Sequence, residues 1–219
     1  MPHVVPAVAL LLLWCSAAVA GVAERPGELL VGPATSDGIL AWAPRRFTGE
    51  TRYAVDPAAG RAAIRADSRG SASALLRQVD VDLRATPVLR WSWKVGNLLT
   101  GIDEPRKGGD DYPARVYILF RGSWFDPRSF GVSYVWSSTQ PRESAWPNAY
   151  TDRVMMVAVR DATDPVGEWV EEVRNVREDI RRHFGKEVDT VKAVAIMTDT
   201  DDSGQQATAW YGGITFAAE

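Results

Sequence analysis

The sequence has one cysteine and two histidines in 219 residues, and both the cysteine and one histidine fall near the start. Residues 4–13 form an apolar run broken only by Pro6, and Ala18–Val19–Ala20 follows as an A-x-A-like cleavage site. The run is too short to cross a bilayer, which takes about 20 apolar residues. Residues 1–20 are therefore expected to be a signal peptide, and the chain to be periplasmic or secreted. Cleavage would remove Cys15 and His3 and leave His183 alone. That excludes a disulfide, a thiolate metal site, a cysteine nucleophile and a multi-histidine metal centre within the mature chain. A Ser-His-Asp triad would have to use His183, which sits in Arg181–Arg182–His183–Phe184 at the end of a helical stretch, where a surface role is the simpler reading. There is also no polybasic block, and the net charge is only −3. Nucleic acid is accordingly not expected as a partner, nor an anionic membrane surface. No further segment reads as membrane-spanning.

What is present is apolar–polar alternation. Residues 52–56 and 62–66 read as a hairpin around 57–60, and residues 73–81, 88–95, 114–121, 130–137, 153–160, 191–198 and 207–216 read as strands. Turn-forming residues separate them. One element departs from this period: residues 168–174 alternate, and then Val176, Ile180 and Phe184 fall on a helical stripe closed by Gly185. Residues 21–35 look like an extended leader, and residues 36–219 like a single domain. The expected fold is all-β with one short helix, a jelly-roll-like antiparallel β-sandwich. The eight tryptophans after residue 20 are expected to supply much of the core, with Trp124 and Trp146 in loop-like segments as binding candidates if exposed.

Two stretches carry chemistry. Asp199–Thr200–Asp201–Asp202–Ser203–Gly204 follows a buried strand and begins like an EF-hand loop, but the position that needs a bidentate Glu is Trp210. An EF-hand is out. A looser calcium site built on Asp199, Asp201 and Asp202 remains as one reading, a solvated turn as the other. The same residues mimic the nucleophile motif of aspartyl-phosphate phosphatases, but only 20 residues follow Asp199, too few for that fold. The second stretch is Gly109–Asp110–Asp111 leading into a strand that places Arg115 and Tyr117 on one face. Arg115 offers a bidentate fork and Tyr117 a flat amphipathic surface, which suits a sugar or another small polar ligand. Alternatively, Asp110 or Asp111 pairs with Arg115 and fixes the loop. The expected ligand face is Asp110, Asp111, Arg115, Tyr117, Tyr134 and Trp136.

Several motifs in order, among them Arg90–Trp91–Ser92–Trp93–Lys94–Val95, Gly109–Asp110–Asp111–Tyr112–Pro113–Ala114–Arg115, Tyr134–Val135–Trp136 and Val194–Ala195–Ile196–Met197–Thr198–Asp199, resemble a bacterial exported family catalogued as domain of unknown function 3047. The resemblance spans most of residues 38–216. It implies an exported single-domain protein and no particular activity. This chain departs from the family pattern at Asp202–Ser203, where Asn-Thr is usual, and at Gly213, where Asp is usual. The leading functional expectation is a non-catalytic module binding carbohydrate or envelope glycan. The alternative is a polysaccharide hydrolase or lyase pairing Asp110 or Asp111 with Asp199 or Asp201. A purely structural role would leave no pocket.

Overall fold

A computed structural model describes residues 28–32, 41–57, 59–120 and 129–219. The expected signal peptide and Trp124 lie outside the described residues. Two sheets face each other. The six-stranded sheet holds β1 (Leu29–Gly32), β3 (Arg52–Val55), β4 (Ile64–Arg69), β6 (Val88–Val95), β11 (Val170–Asn175) and β13 (Gln206–Ala217). The seven-stranded sheet holds β2 (Ala43–Thr48), β5 (Ala72–Asp82), β7 (Tyr112–Leu119), β8 (Gly131–Trp136), β9 (Ala145–Asn148), β10 (Thr151–Arg160) and β12 (Thr190–Asp199). Their orders are β11-β6-β13-β4-β3, with β1 also on β13, and β2-β5-β12-β7-β8-β10-β9. The fold is a mostly antiparallel β-sandwich of jelly-roll type, with β8 and β10 running parallel.

The alternation in sequence becomes the core. Trp91, Trp93 and Val95 of β6 face Ala114, Val116 and Ile118 of β7 and Tyr134 and Trp136 of β8 across the sandwich. Trp91 meets Trp93 edge-on at 5.4 Å between ring centres and stacks on Tyr134 at 5.3 Å. Such contacts add about 1 kcal/mol each beyond the area they bury. On β12 the parity resets at a register shift between Val191 and Ala193. Val194 and Ile196 then point into the core, and Ala193, Ala195, Met197 and Asp199 point to the other face.

The one α-helix among the described residues, α1 (Val176–Phe184), is bounded as its sequence dictates. The Asn175 side chain accepts from the backbone N–H of Glu178 at the start, and Gly185 closes it in the left-handed region at φ 61°. Val176 and Ile180 are the apolar stripe it buries. Its buried Asp179 accepts from Tyr134 Oη at 2.7 Å and from the Arg174 guanidinium at 2.8 and 3.0 Å, which locks the helix to both sheets.

The strand β1 falls in the stretch expected to lead into the fold, and it is extended there, paired with β13. Strands β1, β2 and β9, of four, six and four residues, are not among the strands expected from alternation.

Gly212 is required by packing, because a Cβ there would overlap Ser92 Oγ on the neighbouring strand. Gly212→Ala should cost about 1–3 kcal/mol in urea unfolding. Adding Ser92→Ala, which removes the overlapping atom, should recover most of that loss. A double variant as unstable as the sum of the singles would contradict this contact.

Candidate functional site

A cleft of about 320 Å³ opens on the face of the seven-stranded sheet that points away from the core. Strands β7 and β12 form its floor. Arg115 and Tyr117 come from β7, Met197 and Asp199 from β12, and Ala72 from β5. The loop before β7 brings Asp110, the β9–β10 turn brings Asn148 and Tyr150, and the turn after β12 brings Asp201 and Asp202. The sequence-expected residues Asp110, Arg115, Tyr117, Asp199, Asp201 and Asp202 thus meet at one place.

Tyr134 and Trp136, expected on the ligand face, are not there. Residues paired directly across neighbouring strands share a face. In the β7–β8 register Arg115 pairs with Val135 and Tyr117 with Ser133, whereas Tyr134 pairs with Val116 and Trp136 with Ala114. Both aromatics therefore lie fully buried between the sheets, Trp136 against Trp93 at 5.8 Å. Trp146 is also buried, stacked on Tyr112 at 6.5 Å.

The Arg115 guanidinium is 3% exposed and already engaged by protein. Its Nε donates to Asp199 Oδ1 at 2.8 Å, and Nη2 pairs with the other Asp199 oxygen and donates to the Asp110 carbonyl at 3.1 Å. Nη1 donates to Tyr117 Oη at 3.0 Å and lies 3.6 Å from Asp110 Oδ2. Burial alone would lower its pKa, but Tyr117, Asp110 and the other acidic groups around it raise it overall. Of the two readings the sequence left open for Arg115, the structure shows it engaged by protein as the bolt of the cleft floor, and Asp110 also accepts from Asn148 Nδ2 at 3.1 Å.

Asp199, expected with Asp201 and Asp202 as a metal ligand, has both of its carboxylate oxygens facing Arg115 and lies outside the cluster of carboxylates that approach one another. The carboxylates that do approach one another are Asp111, Asp201 and Asp202, each with an oxygen within 4.8 Å of the others'. These three could hold a divalent cation. Asp111 is buried, outside the cleft lining, and accepts from the backbone N–H groups of Asp202 and Ser203 at 3.2 and 2.6 Å. It clasps the loop before β7 to the turn after β12. The close approach of Gly109 to Asp103, where a Cβ would lie 2.6 Å from the backbone nitrogen, positions that loop. Gly213, the second departure from the family pattern, is on β13 in the other sheet and does not line the cleft.

Tyr150, which the sequence reading passed over, stands at the rim, 57% exposed. Its hydroxyl donates to the Asp202 carboxylate, at 3.0 and 3.1 Å from the two oxygens, and Lys107 Nζ lies 5.3 Å from its ring centre. Burial and then Asp202 push its pKa up to about 12. Phe47, 44% exposed, also lines the cleft. No hydrophobic period marks Tyr150, because it lies in the turn between β9 and β10.

Three carboxylates, Asp110, Asp202 and Glu104, share one tendency. Burial raises the pKa of Asp110, with Arg115 opposing it, and burial raises that of Asp202, reinforced by Asp201 and Asp111. Deeper in, Glu104 is raised by burial, although Ser137 Oγ and the Ser138 N–H donate to it.

A sandwich of two sheets with a polar cleft on the outer face of one is the class of structure these observations define. The chain belongs to the family described as "Protein of unknown function (DUF3047)", whose model matches residues 40–215. No curated protein matches it. Among solved structures it is similar to the family 30 carbohydrate-binding module of the cellulosomal cellulase Cel9D-Cel44B of Clostridium thermocellum, at 12% identity and a TM-score of 0.49, covering 88% of this chain and 98% of that one. It is similar to a point mutant of a family 29 carbohydrate-binding module, at 12% identity and 0.42, covering 87% and 91%. It is also similar to the xyloglucanase domain of NopAA, a type three effector from Sinorhizobium fredii, at 10% identity and 0.44, covering 90% and 96%. At TM-scores below 0.5 none of these bears on what this chain binds.

Arg115→Met should leave Asp199 buried and uncompensated, at a cost of about 3–5 kcal/mol in chemical denaturation. A loss below about 1 kcal/mol would show that the floor does not depend on this pair. A second expectation concerns pH. Asp110, Asp202 and Glu104 have folded-state pKa values above their unfolded ones, so at these groups the folded chain binds more protons. Their contribution is fully present below the unfolded carboxylate value of about 4 and is lost as pH rises through the folded values. Asp110→Asn removes one such group, so its melting temperature should rise relative to the parent chain as pH goes from about 4 toward neutrality. A difference between the two that stays constant with pH would remove Asp110 from the account.

Proposed function

We propose that this protein binds carbohydrate, such as an envelope glycan, in the cleft without transforming it. The observation that carries the reading is the combination of a concave, partly apolar floor with an exposed tyrosine at its edge and several fixed polar groups converging on it. Sugar-binding sites need such a mix, because a pyranose ring presents apolar C–H faces and a girdle of hydroxyls. Tyr150 offers the ring face, and Asn148, Asp110 and Asp202 offer hydrogen-bonding groups held in place by their own partners. Preorganisation of this kind reduces the ordering cost of binding.

A non-catalytic role is favoured by how two of the cleft carboxylates are used. Asp199 is bound to Arg115, and Asp110 shares that guanidinium. Neither is free to serve as nucleophile or base. Export to the periplasm or beyond is part of the same proposal, and no helix of the described residues is long and apolar enough to cross a membrane.

The test is a panel of envelope and plant-type glycans measured by calorimetry. At least one should bind, and Tyr150→Ala should weaken it roughly fivefold, the equivalent of about 1 kcal/mol for one stacking contact. No binding across the panel, or full affinity after Tyr150→Ala, would defeat the reading. New reducing ends released from the bound glycan would replace it with a hydrolase.

A further inference from the structure

The outer positions of an antiparallel sheet in a sandwich are usually polar, because only the inner face is packed. Strand β7 departs from that rule: every residue of Tyr112–Leu119 is buried. Its inner positions Ala114, Val116 and Ile118 belong to the core between the sheets. Its outer positions Tyr117 and Leu119 belong to a second apolar cluster, together with Ala72 of β5 and Met197 of β12, and Val154 of β10 packs on it. The cleft reaches this cluster at Ala72, Tyr117, Leu119, Val154 and Met197.

The cleft is therefore polar at one end and apolar at the other. Along β7 its lining runs Arg115, Tyr117, Leu119, and Leu119 lies about 14 Å beyond Arg115 at the rise of a strand. At the Arg115 end stand Asp110 with its Asn148 partner, and Tyr150 with Asp202. At the far end Leu119 and Val154 flank Gly131, each paired with it across the sheet. A Cβ on Gly131 would come 3.0 Å from Leu119 Cδ2, so the bare glycine gives Leu119 room on the β8 side. Arg153 precedes Val154 and also lines the cleft, but its Nε donates back to Thr151 Oγ1 at 3.3 Å, toward the Tyr150 turn. Ser129, on the chain just before β8, adds a hydroxyl to the lining.

A pyranose seated on Tyr150 covers the polar end only. A second sugar beyond it would press hydroxyls onto Leu119 and Val154, which offer no donor or acceptor in place of the water lost. A hydrocarbon chain has the opposite balance, since each methylene laid there leaves water without leaving a polar group unpaired.

From this we infer that the ligand is a glycolipid, a sugar carrying an aliphatic chain, with the sugar at the Tyr150 end and the chain running over Tyr117 and Leu119 to Val154. The inference rests on the glycan-binding reading and narrows it to a ligand class, aliphatic-substituted sugars over unsubstituted ones.

Calorimetry with methyl, butyl, hexyl and octyl β-glucosides, kept below the concentrations at which they form micelles, tests it. Affinity should rise about fourfold for each methylene that reaches the apolar end and level off once that end is filled. Val154→Thr, which puts a hydroxyl in place of a methyl, should cut the hexyl-over-methyl ratio roughly tenfold. Tyr150→Ala should weaken every member by the same factor, because its ring meets the sugar. The series on the parent chain needs no variant, and the melting temperature of Val154→Thr shows whether that variant folds. Affinities that do not change with chain length, or no binding of any glucoside, overturn the inference and leave glycan binding to the glycan panel. An undiminished hexyl-over-methyl ratio in folded Val154→Thr overturns it as well, by placing the chain elsewhere. Hexanol and octanol bound as tightly as the matching glucosides overturn glycan binding itself.

Discussion

The ion pair between Arg115 and Asp199 is the constraint on which the cleft depends. A buried guanidinium and a buried carboxylate each cost several kcal/mol to desolvate, and that cost is recovered only if the geometry satisfies nearly all their hydrogen-bonding capacity. Here the geometry does so by recruiting neighbours. Arg115 reaches Asp199 on the next strand, the carbonyl of Asp110 on the preceding loop, and Tyr117 two residues along its own strand. One side chain thereby fixes the relative position of β7, β12 and the loop that leads into β7. Asp111 completes the clasp from the adjacent position by accepting the amides of the turn after β12. The two consecutive aspartates divide the work: one borders the cleft and one ties the two loops that form its wall.

This arrangement links packing to electrostatics. Because the buried cation in the floor is neutralised from within, the charges left to line the cleft are the carboxylates of the surrounding turns and the guanidinium of Arg153. Their repulsion is partly relieved by the Tyr150 hydroxyl, which also sets the ring at the rim. The outer face of the seven-stranded sheet accordingly has a locked floor and an acidic, aromatic edge. The core on the opposite face, with Trp91, Trp93, Tyr134 and Trp136 in mutual contact, supplies the rigidity that keeps the floor in register.

Much of the fold was legible in the sequence. The strand β6 and the helix α1 follow directly from periodicity and capping, since Leu89, Trp91, Trp93 and Val95 alternate with Arg90, Ser92 and Lys94, and Asn175 and Gly185 bracket the helical stripe. The strands β1, β2 and β9 were not among those read from alternation, whereas β3, equally short, was marked by the turn-forming residues that follow it. The site was legible in part. Aspartates beside glycine marked the two loops, but which residues share a face depends on cross-strand register, and that register carried Tyr134 and Trp136 into the core. The choice between Arg115 as a ligand donor and Arg115 as a structural partner also lay beyond the sequence. Asp199 is 84 positions away from it, and only the pairing of β7 with β12 brings them together.

The central claim, that the face over Arg115 is where the glycan sits, is tested most directly by amide chemical-shift mapping during titration with the glycan that binds in calorimetry. The account predicts that the shifts concentrate at residues 148–151 and 200–205, the two turns that border the cleft. Shifts concentrated instead on the outer face of the six-stranded sheet, around Lys94 and Trp210, would contradict it.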